Sequence, residues 1–456
     1  MIQLYTSCFI KWRCKSIHYN RSMDFYIDEQ TFRDLQVFEG GERTIFELFD
    51  NCLFPGSTRV LQEMMQTPIC ELKLLQERQA IIRYFADHPL QASLKSSQVH
   101  HIELYRELTL VPLRANRIDE QFILLKDWLQ PSNDLFLVRS GSLGVLYLLD
   151  QMVEFVEDNE ENIASIRYLF EPFITLRSSL TELNRYQGRY RNSIRLVSYL
   201  DDQFRRNHAD ELQQVLNRLY LLDALNAVAK TMRSNHLTLP GIVEGQGDFL
   251  EGKGVFHPLI DDVVANDFTI RDKNVCFLTG PNMAGKSTFL KTMGLLVYLT
   301  HIGFPVPARQ LSISLFKGLF TTINLSDNVN LGYSHFYSEV RRVRDAAQLI
   351  KGGDSIFVIF DELFRGTNVK DAYEGTLEVV KALAERHTSL FFISTHIVEV
   401  AEALQNHPNL QYQYFTTVLK DDKPGYDYKI KQGITNDRLG LYILEKEGVL
   451  ELLREN

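Results

Sequence analysis

Residues 274–288 decide the fold of this chain, and they read NVCFLTGPNMAGKST. The apolar run that ends at Thr279 is typical of a buried strand, and residues 288–298 carry a helical pattern. The residues between them match G-x-x-x-x-G-K-[ST], which in this strand–loop–helix context predicts a loop that binds nucleotide phosphates. Backbone N–H groups of such a loop, together with the start of the helix, attract an anion. A glycine-rich turn without a ligand is the alternative.

The loop predicts particular contacts with ATP and its metal ion. We expect Lys286 to contact the β- and γ-phosphates and the Ser287 hydroxyl to ligate Mg²⁺. Both side chains follow Gly285, where the backbone turns into the helix. The predicted nucleotide-binding residues are Gly280, Pro281, Asn282, Met283, Ala284, Gly285, Lys286, Ser287 and Thr288.

Two further apolar runs are followed by residues that can bind a metal ion or transfer a proton. Residues 355–360 lead into Asp361 and Glu362, a pairing that predicts one acid for Mg²⁺, held through water, and one base for the attacking water. We assign Asp361 to the metal and Glu362 to the catalytic base; a solvated strand end is the alternative. Residues 389–394 lead into Thr395 and His396, and the histidine can sense the γ-phosphate by hydrogen bonding. The alternative is a structural histidine.

The two halves of the chain differ in their pattern of apolar residues. Near-continuous apolar strands alternate with helices after about residue 236, which predicts a parallel sheet between helices. Before residue 236 the pattern is helical, with amphipathic stripes over residues 143–156 and 212–228. We therefore predict an α plus α/β multidomain protein. It comprises a disordered tail at 1–22, an all-α domain at 23–235 and an α/β nucleotide-binding domain at 236–456.

Composition narrows the function classes. The chain has 456 residues and a formal net charge of −9, which excludes a protein that coats DNA through bulk positive charge. No apolar window long enough for a membrane span is found, so we expect no membrane contact. The five cysteines are scattered, as expected for free thiols in a reducing cytoplasm.

The motifs and the residues around them resemble the MutS family of DNA mismatch-repair ATPases. In the α/β half, Gly280–Thr288 is similar to that family's phosphate loop, Asp361–Thr367 to its D-E-x-x-R-G-T run, and Thr395–His396 to its T-H pair. Gly332–Glu339 resembles its G-x-S-x-F-x-x-E segment, and Gly433–Gly440 resembles its G-x-x-x-D-R-x-x-G stretch, shortened by one residue. In the helical half, residues 44–52, 55–59 and 77–79 resemble the start of the family's core and lever domain.

The resemblance implies an ABC-type P-loop ATPase that works as a homodimer with composite ATP sites. Ser334 would then contact the γ-phosphate bound by the partner subunit, where the open side of the nucleotide needs donors. Tyr442 stands where the family commonly has a histidine near the adenine, and an aromatic ring there can still stack on the base. The loop at Arg365–Thr367 would lie at the subunit interface. DNA and other repair proteins are the implied partners.

The resemblance begins at the lever, so we expect no mismatch-reading domain. The favoured interpretation is a DNA-binding switch with weak, DNA-coupled ATP hydrolysis that recognises DNA structure rather than bases. An ATP-dependent protein-interaction module, or a recombination or branched-DNA factor that does not bind mismatches, is the alternative. A transporter subunit is disfavoured because an LSGGQ-type run is absent. A cluster of arginines could grip DNA phosphates, although a solvated charged face balanced by nearby acids is slightly favoured: Arg185, Arg189, Arg191, Arg195, Arg205 and Arg206.

Overall fold

The computed structural model describes residues 25–90, 95–113, 133–183, 193–323, 335–420, 423–435 and 452. The predicted tail at 1–22 lies outside these residues. Up to residue 234 the described chain is helical, with two short 3₁₀ turns and one π-helical turn at Gln203–Asn207. The α-helices are α1 (Glu29–Asp34), α2 (Ile45–Phe49), α3 (Pro55–Gln66), α4 (Leu72–Asp87), α5 (Ser96–Glu107), α6 (Asn133–Asp158), α7 (Glu171–Ser179), α8 (Ile194–Asp202) and α9 (Ala209–Ser234).

Helix α9 is the central element of the helical half. It runs for 26 residues and packs against α3, α4 and α7. Its predicted apolar stripe is confirmed, because all seven positions from Leu212 to Val228 that define the stripe are buried. Asp223 on the same helix is also buried, and its carboxylate accepts the backbone N–H groups of Leu53 and Phe54. These bonds satisfy donors just before α3 begins.

Helices α5 and α6 cross at unusually close range because glycines lie at the crossing. A Cβ atom at Gly141 would lie 2.2 Å from the Cβ of Tyr105, and one at Gly144 would lie 3.2 Å from a side-chain carbon of Ile102. The stripe predicted for α6 is therefore partly wrong. Of the six positions predicted to form the stripe, Met152 and Val156 are buried but Tyr147 is exposed; the six are Leu143, Leu146, Tyr147, Met152, Val153 and Val156. The rest of the buried face includes Gly141, Gly144, Val145, Leu148 and Leu149.

The second half is built around two sheets. Its strands are β1 (Gly241–Val243), β2 (Leu250–Val255), β3 (Asn266–Ile270), β4 (Val275–Thr279), β5 (Gln310–Ser314), β6 (Gly318–Thr322), β7 (Ile356–Phe360), β8 (Leu390–Ser394), β9 (Leu410–Tyr414), β10 (Thr417–Lys420), β11 (Lys423–Tyr426) and β12 (Lys431–Gln432). Its helices are α10 (Lys286–His301), α11 (His335–Lys351), α12 (Val369–Ala384) and α13 (Val398–Ala403). A separate hairpin pairs β10 with β11.

The larger sheet has the strand order β12-β9-β4-β8-β7-β6, and only β12 in it runs antiparallel to its neighbour. Every residue of β4, β6, β7 and β8 is buried, as expected for strands covered on both faces. The three strands predicted from apolar runs are confirmed to within one residue. The smaller sheet has the order β1-β5-β2-β3. The chain therefore has the predicted α plus α/β architecture.

The first described residues pack on the edge of the larger sheet. Tyr26 forms a parallel bridge with Gly318 of β6. Asp34 is buried, and its carboxylate accepts from the Thr321 hydroxyl at 2.7 Å and from the Ile323 N–H at 2.9 Å. A salt bridge of 2.5 Å joins Asp28 to Arg342 of α11. Residues 25–34 thus contact the α/β half, while the division of the chain at residue 235 stays a prediction.

The C-terminal end of α10 joins the two halves of the molecule. His301 is fully buried, and its Nδ1 lies 2.8 Å from the carbonyl oxygen of Ile69 in the helical half. Its Nε2 accepts the backbone N–H of Phe316 at 3.2 Å, so the neutral ring carries its proton on Nδ1. One turn earlier, the Tyr298 hydroxyl donates to the carbonyl oxygen of Met65. In the described residues, no helix is both long and apolar enough to cross a membrane.

The helix crossing yields a first prediction. Gly141→Ala should lower the free energy of unfolding by about 1–3 kcal/mol, because the new methyl group collides with the Cβ of Tyr105 and overpacks the crossing. Gly144→Ala is the matched control on the same helix. Its methyl group would lie 3.2 Å from Cγ1 of Ile102 and 3.9 Å from the Gln98 carbonyl oxygen, a much milder approach, and alanine favours the helix. We therefore expect a change within about 1 kcal/mol. Urea denaturation followed by circular dichroism measures both, and equal losses would contradict the role of Gly141.

His301 yields a second prediction, on acid stability. Burial lowers the pKa of His301 from 6.5 to about 4, so between these values the unfolded chain binds a proton that the folded chain excludes. The free energy of unfolding should therefore fall as the pH drops from 6.5 toward 4, by roughly 3 kcal/mol for this residue. His301→Gln should remove that part of the slope, whereas the exposed His387→Gln should keep it. Urea denaturation at several pH values tests this, and an unchanged slope in His301→Gln would refute it.

Candidate active site

The loop between β4 and α10 has the backbone that close approach to a ligand requires. Gly280 has φ +143° and Gly285 has φ +104°, conformations that side chains disfavour. A Cβ atom at Gly280 would lie 2.7 Å from the carbonyl oxygen of Phe415, so a glycine is needed there for steric reasons as well. Met283 at the tip of the loop has φ +67°, and its side chain is 83% exposed. The loop is thus held open toward solvent at the start of α10.

Lys286 occupies the centre of this loop. It is buried, and its ammonium group donates to the carbonyl oxygens of Gly280 at 2.8 Å and Pro281 at 3.1 Å. Burial lowers the pKa of Lys286, and the nearby carboxylates of Glu362 and Asp361 partly oppose that change. The loop therefore holds a cation next to two acids before any ligand is considered.

The two acids lie at the carboxyl end of β7. The Asp361 N–H donates to the carbonyl oxygen of Thr322, and its carboxylate accepts a hydrogen bond from the Ser394 hydroxyl. Burial raises the pKa of Asp361, and the hydroxyls of Ser287 and Ser394 act in the opposite direction. The Ser287 hydroxyl also lies near this carboxylate, so the two predicted Mg²⁺ ligands, Ser287 and Asp361, are close to each other. Hydroxyl and carboxylate oxygens suit Mg²⁺, which usually takes its other ligands from phosphate and water.

Ser394 is a site residue that the sequence analysis missed. Its hydroxyl accepts the N–H of Glu362 at 3.0 Å and donates to Oδ1 of Asp361. Glu362 itself has φ +55°, in the left-handed region that non-glycine residues rarely occupy. The only sequence signal was its place at the end of an apolar strand, directly before Thr395 and His396.

The segment that follows the acids packs against α11. Glu339 of α11 is buried, and its carboxylate accepts the N–H of Gly366 at 3.3 Å. The rings of Phe336 and Phe364 meet edge to face at 5.7 Å. Arg365 lies 3.5 Å from the carboxylate of Glu362 and is half exposed. A small cavity is lined by residues of these segments: Thr322, Ile323, Glu339, Phe360, Asp361, Glu362, Leu363 and Arg365.

His396 lies at the same edge of the sheet as the loop and the acids. Strand β8 pairs with both β4 and β7, so its carboxyl end lies between the other two strand ends. The Thr395 N–H donates to the carbonyl oxygen of Leu278, and the His396 side chain is exposed. The structure therefore places a titratable ring at the solvent side of the site. Ser334 and Tyr442 lie outside the described residues, as do Asp437, Arg438 and Gly440.

The described arginines of the predicted cluster include one that is structural. Arg205 is buried and binds both carboxylate oxygens of Asp201 at 2.6 and 2.7 Å, and it also donates to the carbonyl oxygen of Leu110. It cannot also grip DNA, because a buried paired cation is withdrawn from solvent. Arg206 pairs with Asp202 at 2.6 Å, and Arg195 is exposed. Arg185, Arg189 and Arg191 lie outside the described residues.

Part of the chain, including the site described above, is similar to known proteins. The family model of MutS domain V matches residues 276–453, from β4 onward. The DNA mismatch repair protein MutS of Listeria monocytogenes serotype 4a (strain HCC23) is 27% identical over 248 residues, which cover 53% of this chain and 28% of that protein. Over about half of its length the chain is therefore similar to proteins of the MutS family.

Two more MutS proteins give the same picture. The DNA mismatch repair protein MutS of Listeria innocua serovar 6a is 26% identical over 248 residues, and that of Streptococcus suis (strain 98HAH33) is 26% identical over 249. Each match covers 53% of this chain and less than a third of the relative's own length. The part matched by the MutS domain V model contains the loop at 280–285, both acids and His396.

Proposed function

We propose that this chain binds ATP with Mg²⁺ and hydrolyses it, and that the nucleotide drives a DNA-binding switch. One observation carries the proposal: a buried lysine, a hydroxyl and two acids meet at the carboxyl edge of a single parallel sheet. Ligands of α/β sheets bind at this edge. All of these residues lie within the part of the chain that the MutS domain V model matches, residues 276–453.

Each residue of the site has a proposed part in hydrolysis. The amides of the loop at 280–288 and the ammonium group of Lys286 bind the phosphates. To do so, Lys286 gives up its hydrogen bonds to the carbonyl oxygens of Gly280 and Pro281 and donates to phosphate oxygens instead. Ser287 and Asp361 hold Mg²⁺, which neutralises charge that develops on the phosphates. Glu362 takes the proton of the attacking water, and His396 hydrogen bonds near the γ-phosphate. In the structure Arg365 lies beside Glu362, so it must leave that carboxylate free to act as a base.

The quaternary and DNA functions are also proposals. We assign a homodimer in which Ser334 completes the ATP site of the partner and Tyr442 stacks on the adenine. A role in DNA repair is favoured by the curated relatives, which are named DNA mismatch repair proteins. The contacts of His301 and Tyr298 with the helical half support a switch, because they tie the far end of α10 to that half.

A second candidate function belongs to another class. An ATP-dependent module that binds a partner protein but no DNA agrees with the net charge of −9. The burial of Arg205 in an ion pair also favours it, since one candidate phosphate contact is thereby removed. Both candidates share the ATPase site and differ only in what the helical half binds.

The nucleotide site is tested by two substitutions. Lys286→Ala should abolish ATP binding, because the phosphates lose their cation. Glu362→Gln should bind ATP but hydrolyse it about 10²–10⁴ times more slowly, because the amide cannot accept the proton. Binding of a fluorescent ATP analogue and release of inorganic phosphate measure the two effects.

Two exposed residues of α12 serve as matched controls for these variants. Lys381 and Glu378 form a surface ion pair, and Lys381→Ala and Glu378→Gln should behave as the unsubstituted protein. Normal turnover by Glu362→Gln would mean that another group is the base. Normal ATP binding by Lys286→Ala would overturn the proposed site.

DNA binding separates the two candidate functions. A DNA switch should bind a four-way junction or a mismatched duplex with an affinity that depends on nucleotide and falls as salt rises. The measurement is fluorescence anisotropy with homoduplex, mismatched and junction DNA, with ATP, ADP or neither, at two salt concentrations. If no DNA is bound in any nucleotide state, the protein-interaction module is the remaining candidate.

A further inference from the structure

We propose that Ser394 is a positioning residue that fixes both acidic groups of the site and thereby sets how tightly Mg²⁺ is held. The inference rests on the proposed binding of Mg²⁺ and ATP at this site. It concerns a residue of β8 that lies behind the acids and need not touch the nucleotide itself.

The geometry gives a single hydroxyl two tasks. Ser394 is fully buried, and its Oγ accepts the Glu362 N–H at 3.0 Å. The same hydroxyl donates its one proton to Oδ1 of Asp361. An ionised carboxylate can only accept and a backbone N–H can only donate, so the direction of both bonds is fixed. The hydroxyl therefore ties two successive residues after β7 to the end of β8.

The bond to Glu362 holds a backbone that would not choose this conformation by itself. Glu362 has φ +55° and Phe364 has φ +61°, so the turn after β7 contains two left-handed non-glycine residues. Such conformations persist only where the surroundings hold them. The Ser394 hydroxyl supplies one such contact, and the direction in which the Glu362 side chain leaves the backbone depends on it.

The bond to Asp361 orients the proposed Mg²⁺ ligand. The Ser394 hydroxyl donates to this carboxylate, and the Ser287 hydroxyl lies near it on a different element. Ser287 is in the first turn of α10 and is itself a proposed ligand, whereas Ser394 lies within the sheet. When Ser287 turns to the metal, the bond from Ser394 still holds the carboxylate in place. Groups that orient a metal ligand in this way typically change metal affinity roughly 10- to 100-fold when they are removed.

The other end of β8 carries a serine that serves as a matched control. Ser389 is also fully buried, accepts the N–H of Ile356 at 3.1 Å and donates to the carbonyl oxygen of Asp354. It thus ties the start of β7 to its neighbouring strand, as Ser394 ties the end. Replacing either serine by alanine removes one buried hydroxyl from the same sheet, but only the Ser394 hydroxyl contacts Asp361 and Glu362.

The experiment compares Ser394→Ala, Ser394→Thr and Ser389→Ala in the full chain. A fluorescent, non-hydrolysable ATP analogue is titrated at a series of free Mg²⁺ concentrations and in EDTA, and thermal unfolding is recorded for each variant. Ser394→Ala should need roughly 10- to 100-fold more Mg²⁺ for half of the Mg²⁺-dependent gain in affinity. Its affinity in EDTA should stay unchanged, because the loop and Lys286 are intact. Ser394→Thr keeps a hydroxyl and should restore most of the Mg²⁺ response.

Ser389→Ala should match the unsubstituted protein in its Mg²⁺ response even if its melting temperature falls. An unchanged Mg²⁺ response in Ser394→Ala, or an equal shift in Ser389→Ala, would overturn the inference. If Ser394→Ala does not fold, Ser394→Cys makes the same comparison, because a thiol is a weak donor of nearly the same size. Failure of the unsubstituted protein to bind the analogue would instead contradict the proposed ATP site.

Discussion

The register of three parallel strands is the constraint on which the rest of this structure depends. Strand β8 lies between β4 and β7, pairing Leu278 with Ser394 on one side and Phe360 with Ile393 on the other. Adjacent strands lie about 4.8 Å apart, so their carboxyl ends meet within a few ångströms. The loop after β4, the acids after β7 and the histidine after β8 are therefore assembled by the sheet. A slip of one residue would turn each buried strand residue to the opposite face and separate these groups.

Helix α10 extends this constraint across the molecule. It begins at the site with Lys286 and ends at His301, which is bonded to the helical half. Sixteen residues of α-helix span about 24 Å, and the helix is buried along most of that length. A shift of the loop on ligand binding would therefore move Ile69 and Met65, because a single helix and no flexible segment connects the loop to them. This is a physical route from the proposed nucleotide site to the helical half, and it consists of one helix with hydrogen bonds at its far end.

Much of the fold could be predicted because its signals are local. Runs of four or five apolar residues favour burial in a sheet, and all three strands were predicted from them: Val275–Leu278, Ile356–Phe360 and Leu390–Ile393. The stripe on α6 was predicted less well, because the prediction used the spacing of large apolar residues and did not count glycines as part of the buried face. Gly141 and Gly144 draw α5 onto the face that they occupy, so that face is buried and Tyr147 is not.

Some residues of the site could likewise be predicted from local patterns, and others could not. Lys286, Ser287, Asp361 and Glu362 stand at fixed offsets from strand ends, so their approach to one another could be expected from the motifs. The roles of Ser394 and Glu339 depend on which strands are neighbours and on the left-handed backbone at Glu362. Arg205 belonged to a run of arginines, and only its burial against Asp201 distinguishes it from a surface cation. Such facts are set by the tertiary structure, and no local pattern encodes them.

The contacts of residues 25–34 have a practical consequence for dissecting the gene. A recombinant fragment that starts at residue 236 would contain every motif of the proposed ATP site but would omit Tyr26, Asp28 and Asp34. The Thr321 hydroxyl, the Ile323 N–H and the Arg342 guanidinium would lose these partners, and the outer edge of β6 would be uncovered. Bare strand edges pair with other chains and promote aggregation. Insolubility of such a fragment would therefore be explained by the loss of residues 25–34 from the edge of the sheet, and fusing these residues back to the fragment should restore solubility.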